Sequence, residues 1–200
     1  GGSSGGYITS LSESNYVEVM NVDTTVTTEQ DLAIRANYAG VQGCYIPGLY
    51  AEDVFVWSHE GADTDWSTPE NWGGGELDYP REVIHRVRFD SSSTDSCSAD
   101  TAVTVQSVDV TSPYTGTITL GAALTISEKL SVGGNATVNI GSYDLRLNGD
   151  ITNDGTIDGT TGRVLFSAND HDNNIYSSAE ISAHMLFESS TGGTWTLGRD

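Results

Sequence analysis

Residues 124–147 read LTISEKLSVGGNATVNIGSYDLRL. The stretch holds the apolar-x-apolar triplets Leu124-Thr125-Ile126, Leu130-Ser131-Val132, Val138-Asn139-Ile140 and Leu145-Arg146-Leu147, parted by Gly, Asn, Asp and Ser. Short alternating runs bounded by turn-forming residues are the signature of β-strands, and no 3.6-residue periodicity competes with it. The first and last triplets begin 21 residues apart, so the stretch reads as one full turn of a structure that then starts again.

The period extends in both directions. Val103-Thr104-Val105, Leu124, Leu145, Val164-Leu165-Phe166 and Met185-Leu186-Phe187 begin 21, 21, 19 and 21 residues apart. A second series, Val108-Asp109-Val110, Leu130 and Ile151-Thr152-Asn153, is spaced by 22 and 21. A third runs Ile118-Thr119-Leu120, Val138, Ile157 and Ile181, its first intervals being 20 and 19. Three strands per turn of about 20 residues is the arrangement of a triangular parallel β-helix, in which each coil buries its apolar edge only when the next stacks on it. Inward Val, Ile and Leu then form continuous ladders, with Thr, Ser, Asn and Arg facing out between them. The expected fold class is therefore all-β, a right-handed parallel β-helix (β-solenoid) over residues 100–200 that continues beyond 200. The alternative is a β-sandwich, because Asn-Gly and Asp-Gly also signal hairpins, although a sandwich has no reason to keep the period. At the expected corners, Gly133-Gly134-Asn135, Asn148-Gly149-Asp150, Asn153-Asp154-Gly155 and Asp158-Gly159 supply residues that accept positive φ.

The rest of the chain divides by character. Residues 1–6, GGSSGG, read as a flexible linker. Residues 7–56 read as a β-rich leading segment, with strand-like Tyr16–Met20 and Thr24–Thr28 and an ambiguous stretch over Glu29–Asn37. Residues 57–99 carry tryptophans and lead into the solenoid. No run approaches the 18 apolar residues of a membrane-spanning helix, and no basic start followed by an apolar run marks a leader, so direct membrane insertion is not expected. Either a leader has been removed or the chain is an internal piece.

Eight Lys and Arg against 28 Asp and Glu give a net charge of −20, with Arg35 and then Arg81 showing how sparse cations are at the start. Such a chain repels nucleic acid and anionic lipid. The two cysteines, Cys44 and Cys97, match no metal-binding spacing. In an oxidising compartment they would pair, closing a loop of about fifty residues for roughly 3–4 kcal/mol; two unpaired buried thiols are the other reading.

Trp57, Asp65-Trp66-Ser67, Asn71-Trp72, Pro80 and Val83-Ile84 occur in order ahead of the ladder, and Gly192-Gly193-Thr194-Trp195-Thr196-Leu197-Gly198 follows it. This order resembles secreted β-helix surface proteins of bacteria and archaea, of adhesin-like or appendage type. The resemblance covers roughly residues 57–200, and its motifs are architectural. It implies an extracellular, cell-surface module and implies no reaction. Physically, an open solenoid end exposes ladder and unpaired backbone and needs a cap, and Trp57, Trp66 and Trp72 have the bulk for it. The competing role for them is an aromatic platform for a sugar.

Chemistry leaves fainter marks. β-Helices can carry paired carboxylates for polysaccharide cleavage, and the candidates are Asp150, Asp154, Asp158, Asp170 and Asp172, with Arg146 and Arg163 as sugar or anion contacts. At turns, Asp serves local backbone hydrogen bonding, and nothing singles out a catalytic pair. His171 sits in a polar cluster, yet His59, His85 and His184 show no ligand spacing with it. Ca²⁺ at the Asp/Asn-rich turns is the one metal the composition admits, though no EF-hand or glycine-rich nonapeptide is present; no other cofactor is expected. The expected function is an extracellular structural module acting by self-assembly or adhesion, not an enzyme. Its expected partners are copies of itself, other surface proteins, or glycans met by the outward aromatics Tyr114, Tyr143 and Tyr176. The alternatives are a polysaccharide-binding or polysaccharide-cleaving β-helix and a phage tail-fibre module.

Overall fold

A computed structural model describes residues 7–11, 17–20, 54–73, 78–168, 172–188 and 193–198. The chain forms two compact units, Gly1–Ala51 and Glu52–Asp200. In the first, β1 (Tyr7–Leu11) pairs antiparallel with β2 (Val17–Met20), with Ile8 opposite Val19. β2 thus lies within the strand expected at Tyr16–Met20, while Tyr16, Thr24–Thr28, Glu29–Asn37 and the GGSSGG linker lie outside the described residues.

The second unit is a β-solenoid of about five turns. Its first face stacks the opening half of β7 (Val103–Val110) on the opening half of β9 (Leu124–Val132), then β11 (Leu145–Leu147), β14 (Arg163–Phe166) and β16 (His184–Phe187). All are parallel, with Val103, Leu124, Leu145, Val164 and Met185 in one column. The second face runs β3 (Val54–Trp57), β5 (Arg86–Phe89), the closing halves of β7 and β9, β12 (Asp150–Asn153), β15 (Asn173–Ser177) and β17 (Trp195–Gly198). The third runs β6 (Cys97–Ala99), β8 (Thr117–Leu120), β10 (Thr137–Gly141) and β13 (Thr156–Gly159), with an Ile157 to Ile181 bridge above. The three periodic series of the sequence are these three columns.

The second face begins earlier than the sequence suggests. Val54–Trp57, assigned to the leading segment up to residue 56, pairs parallel with β5 and belongs to the solenoid. Its outer edge is covered by β4 (Trp72–Gly73), which runs antiparallel to it.

Inward positions make one continuous core. Leu145, Leu147, Ile151, Ile157, Val164 and Phe166 are fully buried, each gaining about 1.5–3 kcal/mol from leaving water. Asn153 is also fully buried, in the column of Val110 and Val132. Its amide nitrogen donates to Ser177 Oγ at 3.0 Å, and its Oδ1 has no hydrogen-bond partner among the described residues.

The corners turn for a different reason from the one expected. Positive φ occurs, among the described residues, at His59, Asp172 and Gly141, and at none of the four corner clusters read from the sequence. Their glycines serve close approach instead. A Cβ on Gly133 would lie 2.7 Å from Ser112 N and 2.9 Å from Val110 O, and one on Gly149 would fall on the Glu128 carbonyl, in each case the backbone of the coil beneath.

Candidate functional site

The two ends of the solenoid differ in kind. At the start, Trp57, Trp66 and Trp72 are all buried. The Trp66 and Trp72 rings meet edge to face at 4.8 Å, and those of Trp57 and Trp72 at 5.2 Å. Phe89 lies 5.8–6.1 Å from each of the three. A buried indole N–H requires an acceptor, and each has one: Trp57 donates to Asp95 O at 3.0 Å, Trp66 to Pro80 O at 2.7 Å, and Trp72 to Trp66 O at 2.8 Å. Their burial leaves no exposed platform for a sugar. Asp65 pairs with Ser98, so the loop carrying Trp66 lies under the third face.

Asn71 holds that loop. It is fully buried, accepts Gly61 N–H at 2.9 Å and donates to Asp63 O at 3.0 Å and Asp65 O at 2.9 Å. Hydrogen bonds from Thr68 and from the Asp65 N–H lower the Asp63 carboxyl. His85 is an acceptor in a turn: its Nδ1 receives Arg81 N–H at 3.1 Å and Glu82 N–H at 3.3 Å, with the ring 4.8 Å from Phe55. Neither role was singled out from sequence, although the Asn71-Trp72 pair marks the place.

One expectation is corrected here and another gains no support. Tyr114 is not an outward aromatic: it is buried, its ring 5.2 Å from Phe89 and its hydroxyl donating to Asp95 O at 2.8 Å. Burial pushes its phenol well above its ordinary value. The pairing of Cys97 with Cys44 has no support. Cys97 carries a free, buried thiol in the third-face column, directly beneath Ile118, and Cys44 lies outside the described residues. Cysteine acts there as a small apolar side chain, and burial raises its thiol well above the usual value.

Tyr143 and Tyr176 are exposed, but not on a common surface. Tyr143 is at the corner leading into β11, whereas Tyr176 projects from the second face over Gly198 of the next coil. The carboxylates considered for catalysis are staples between coils. Asp150 accepts Asn174 N–H at 2.8 Å, Asp154 accepts the Ser178 hydroxyl at 2.6 Å, and Asp158 accepts the Ser182 hydroxyl at 2.8 Å, each from 24 residues away. Asp172 donates its N–H to Thr194 Oγ1 at 3.3 Å, and Asp170 and His171 lie outside the described residues. His59 pairs with Asp95 at 2.9 Å, and His184 stands on the last first-face strand. Arg146 reaches Ser167 and, at 3.3 Å, Glu188 two coils on. Among the described residues no three His, Cys, Asp or Glu side chains are grouped to hold a metal ion.

Arg163 grips Asp144 with both Nε (3.0 Å) and Nη2 (2.6 Å). These bonds hold the Asp144 carboxyl below its ordinary 3.8. A carboxyl lowered by folding contributes stability that is complete above its ordinary value and lost as pH falls through the lowered one. Asp144→Asn is therefore expected to be slightly less stable than the parent at pH 7, with the difference shrinking as pH falls below 3.8. Urea midpoints across that range test it, and an equal difference at both ends would contradict it. The effect is small because the pair is solvent-exposed.

At the far end, apolar side chains of the last described coil are exposed. Met185 and Phe187 continue inward columns that are fully buried one coil earlier at Val164 and Phe166, yet are 49% and 53% exposed, and Leu197 is 74% exposed. Phe187 stacks on Phe166 at 4.7 Å, and Trp195 meets Phe166 edge-on at 4.9 Å, so one side of this apolar rung is packed. Among the described residues nothing packs on its other side.

No family model, curated protein or solved structure matches this chain. The resemblance to secreted β-helix surface proteins rests on the tryptophan-bearing segment and the ladders alone.

Proposed function

We propose that this chain is an extracellular structural module of a cell-surface or filament-forming protein, which works by joining β-coils end to end. The observation that supports the reading is the apolar rung of Met185, Phe187 and Leu197, exposed among the described residues. Monomeric proteins rarely leave contiguous apolar surface next to unpaired strand edges, because both recruit partners. An acidic exterior of net charge −20 suits such a module, since repulsion between sides restricts contact to the ends. Adhesion through outward aromatic residues is the second use, and exposed Tyr143 is its best contact. The test is light scattering on the purified chain over a concentration series at moderate salt. The mass is expected to rise above 21.2 kDa, and the combined change Phe187→Asp and Leu197→Asp to return it there. A parent that stays at the monomer mass throughout removes self-assembly as the function and sends the search to glycan binding.

A further inference from the structure

We propose that Asn135 carries an N-linked glycan, attached through its side-chain amide nitrogen at the corner between the second and third faces; the inference rests on the extracellular reading above. Residues 135–137 read Asn-Ala-Thr. An asparagine followed two places on by Ser or Thr, with no proline between, is the acceptor pattern for N-linked sugar in exported proteins. Of all the asparagines in the chain, Asn135 alone meets it. So short a pattern also arises by chance, and its position in the fold is what counts.

Asn135 lies between β9 and β10 with described coils on both sides of it, and it is exposed. Ala136 turns inward and is buried, so the exposed Asn135 and the half-buried Thr137 flank it on the outside. By contrast, Asn71, Asn153 and Asn173 are buried. The Asn135 amide nitrogen donates to Ser112 O of the coil beneath at 2.9 Å. A primary amide carries two N–H groups, so one is left over, and the substituted amide keeps an N–H for Ser112. The coil above does not crowd the corner: a Cβ on neighbouring Gly134 would meet nothing nearer than Asp154 O at 3.5 Å. A corner points away from the solenoid axis, so a sugar chain there leaves the stacking of coils undisturbed and adds a neutral polar screen to the charged sides. The donor required is an oligosaccharide carried on a lipid diphosphate. The Asn135 nitrogen forms a bond to C1 of its first sugar, and the C1–O bond to the diphosphate breaks. The lipid diphosphate leaves with that electron pair, and one amide proton passes to a base of the transferring enzyme.

The closing experiment is mass spectrometry of the full chain recovered from its own cells and cut after Lys and Arg, which places Asn135 in the peptide Leu130–Arg146. Most of that peptide is expected to be heavier than its sequence mass by a whole number of sugar residues, with fragmentation locating the addition on Asn135. Asn135→Gln and Thr137→Ala are each expected to abolish the added mass, and Thr137→Ser, which keeps the hydroxyl, to retain it. Antibody labelling of unbroken cells reports separately whether the chain is at the surface. A bare peptide from a chain that is labelled on unbroken cells overturns the glycan and leaves the surface reading standing. A bare peptide from a chain labelled only after the cells are opened overturns both. Added mass on Asn139 or on a hydroxyl side chain, or its persistence in Thr137→Ala, overturns the site as well.

Discussion

Trp72→Ala is expected to lower the stability of the second unit by about 3–5 kcal/mol, the usual cost of emptying a large aromatic site. Trp72 is the centre of the sealed end: its ring meets Phe55 at 6.4 Å as well as Trp57, Trp66 and Phe89. Truncation also strips the Trp66 carbonyl of its 2.8 Å donor. Coils of a solenoid depend on their neighbours, so the damage should be graded. Hydrogen exchange is expected to accelerate first in β3 and β5 and least in β11 and β12. Urea unfolding gives the total, and a change under about 1 kcal/mol would show that the tryptophans do not hold this end shut. Leu197→Ala is the contrast, at roughly 0.5 kcal/mol or less, because Leu197 is 74% exposed.

Gly149→Ala should be as harmful although it adds one methyl group. The new Cβ would land on the carbonyl of Glu128 and close to its Cα, all main chain. Main chain cannot swing aside as a side chain does, so two coils must part and their hydrogen bonds stretch. A loss of about 3 kcal/mol or more is expected, above the usual overpacking range because no rotamer relieves it. Gly134→Ala is the control: its nearest neighbour, Asp154 O, is 3.5 Å away, and the change should stay within about 0.5 kcal/mol. Thermal unfolding of the two variants side by side decides the matter. Equal melting temperatures would mean that the corner at Gly149 adapts.

The columns were legible because a parallel solenoid repeats its inward positions at a nearly fixed interval, and Val103, Leu124 and Leu145 stack as their spacing said. Legibility failed where the interval changed. Ile151 stacks on Ile175, 24 residues on, and Ile175 on Leu197, because the corners after Phe166 and Phe187 are longer than those below. The place of Cys97 in the third column was readable by the same arithmetic, since it lies 21 residues before Ile118. Tyr114 sits in a corner outside every series, and its burial depends on Phe89, a partner that sequence distance conceals. The sealed end, built from Asn71 and three indole hydrogen bonds, has no periodicity to betray it.

Since Leu124 stands directly on Val103 and Leu145 on Leu124, a segment cut between two stacked residues and removed would leave both cut ends facing their new neighbours in the correct direction. The solenoid's height is therefore quantised in increments of about 4.8 Å. Shortening or lengthening it by whole periods changes its reach as a ruler does, without altering what either extremity presents.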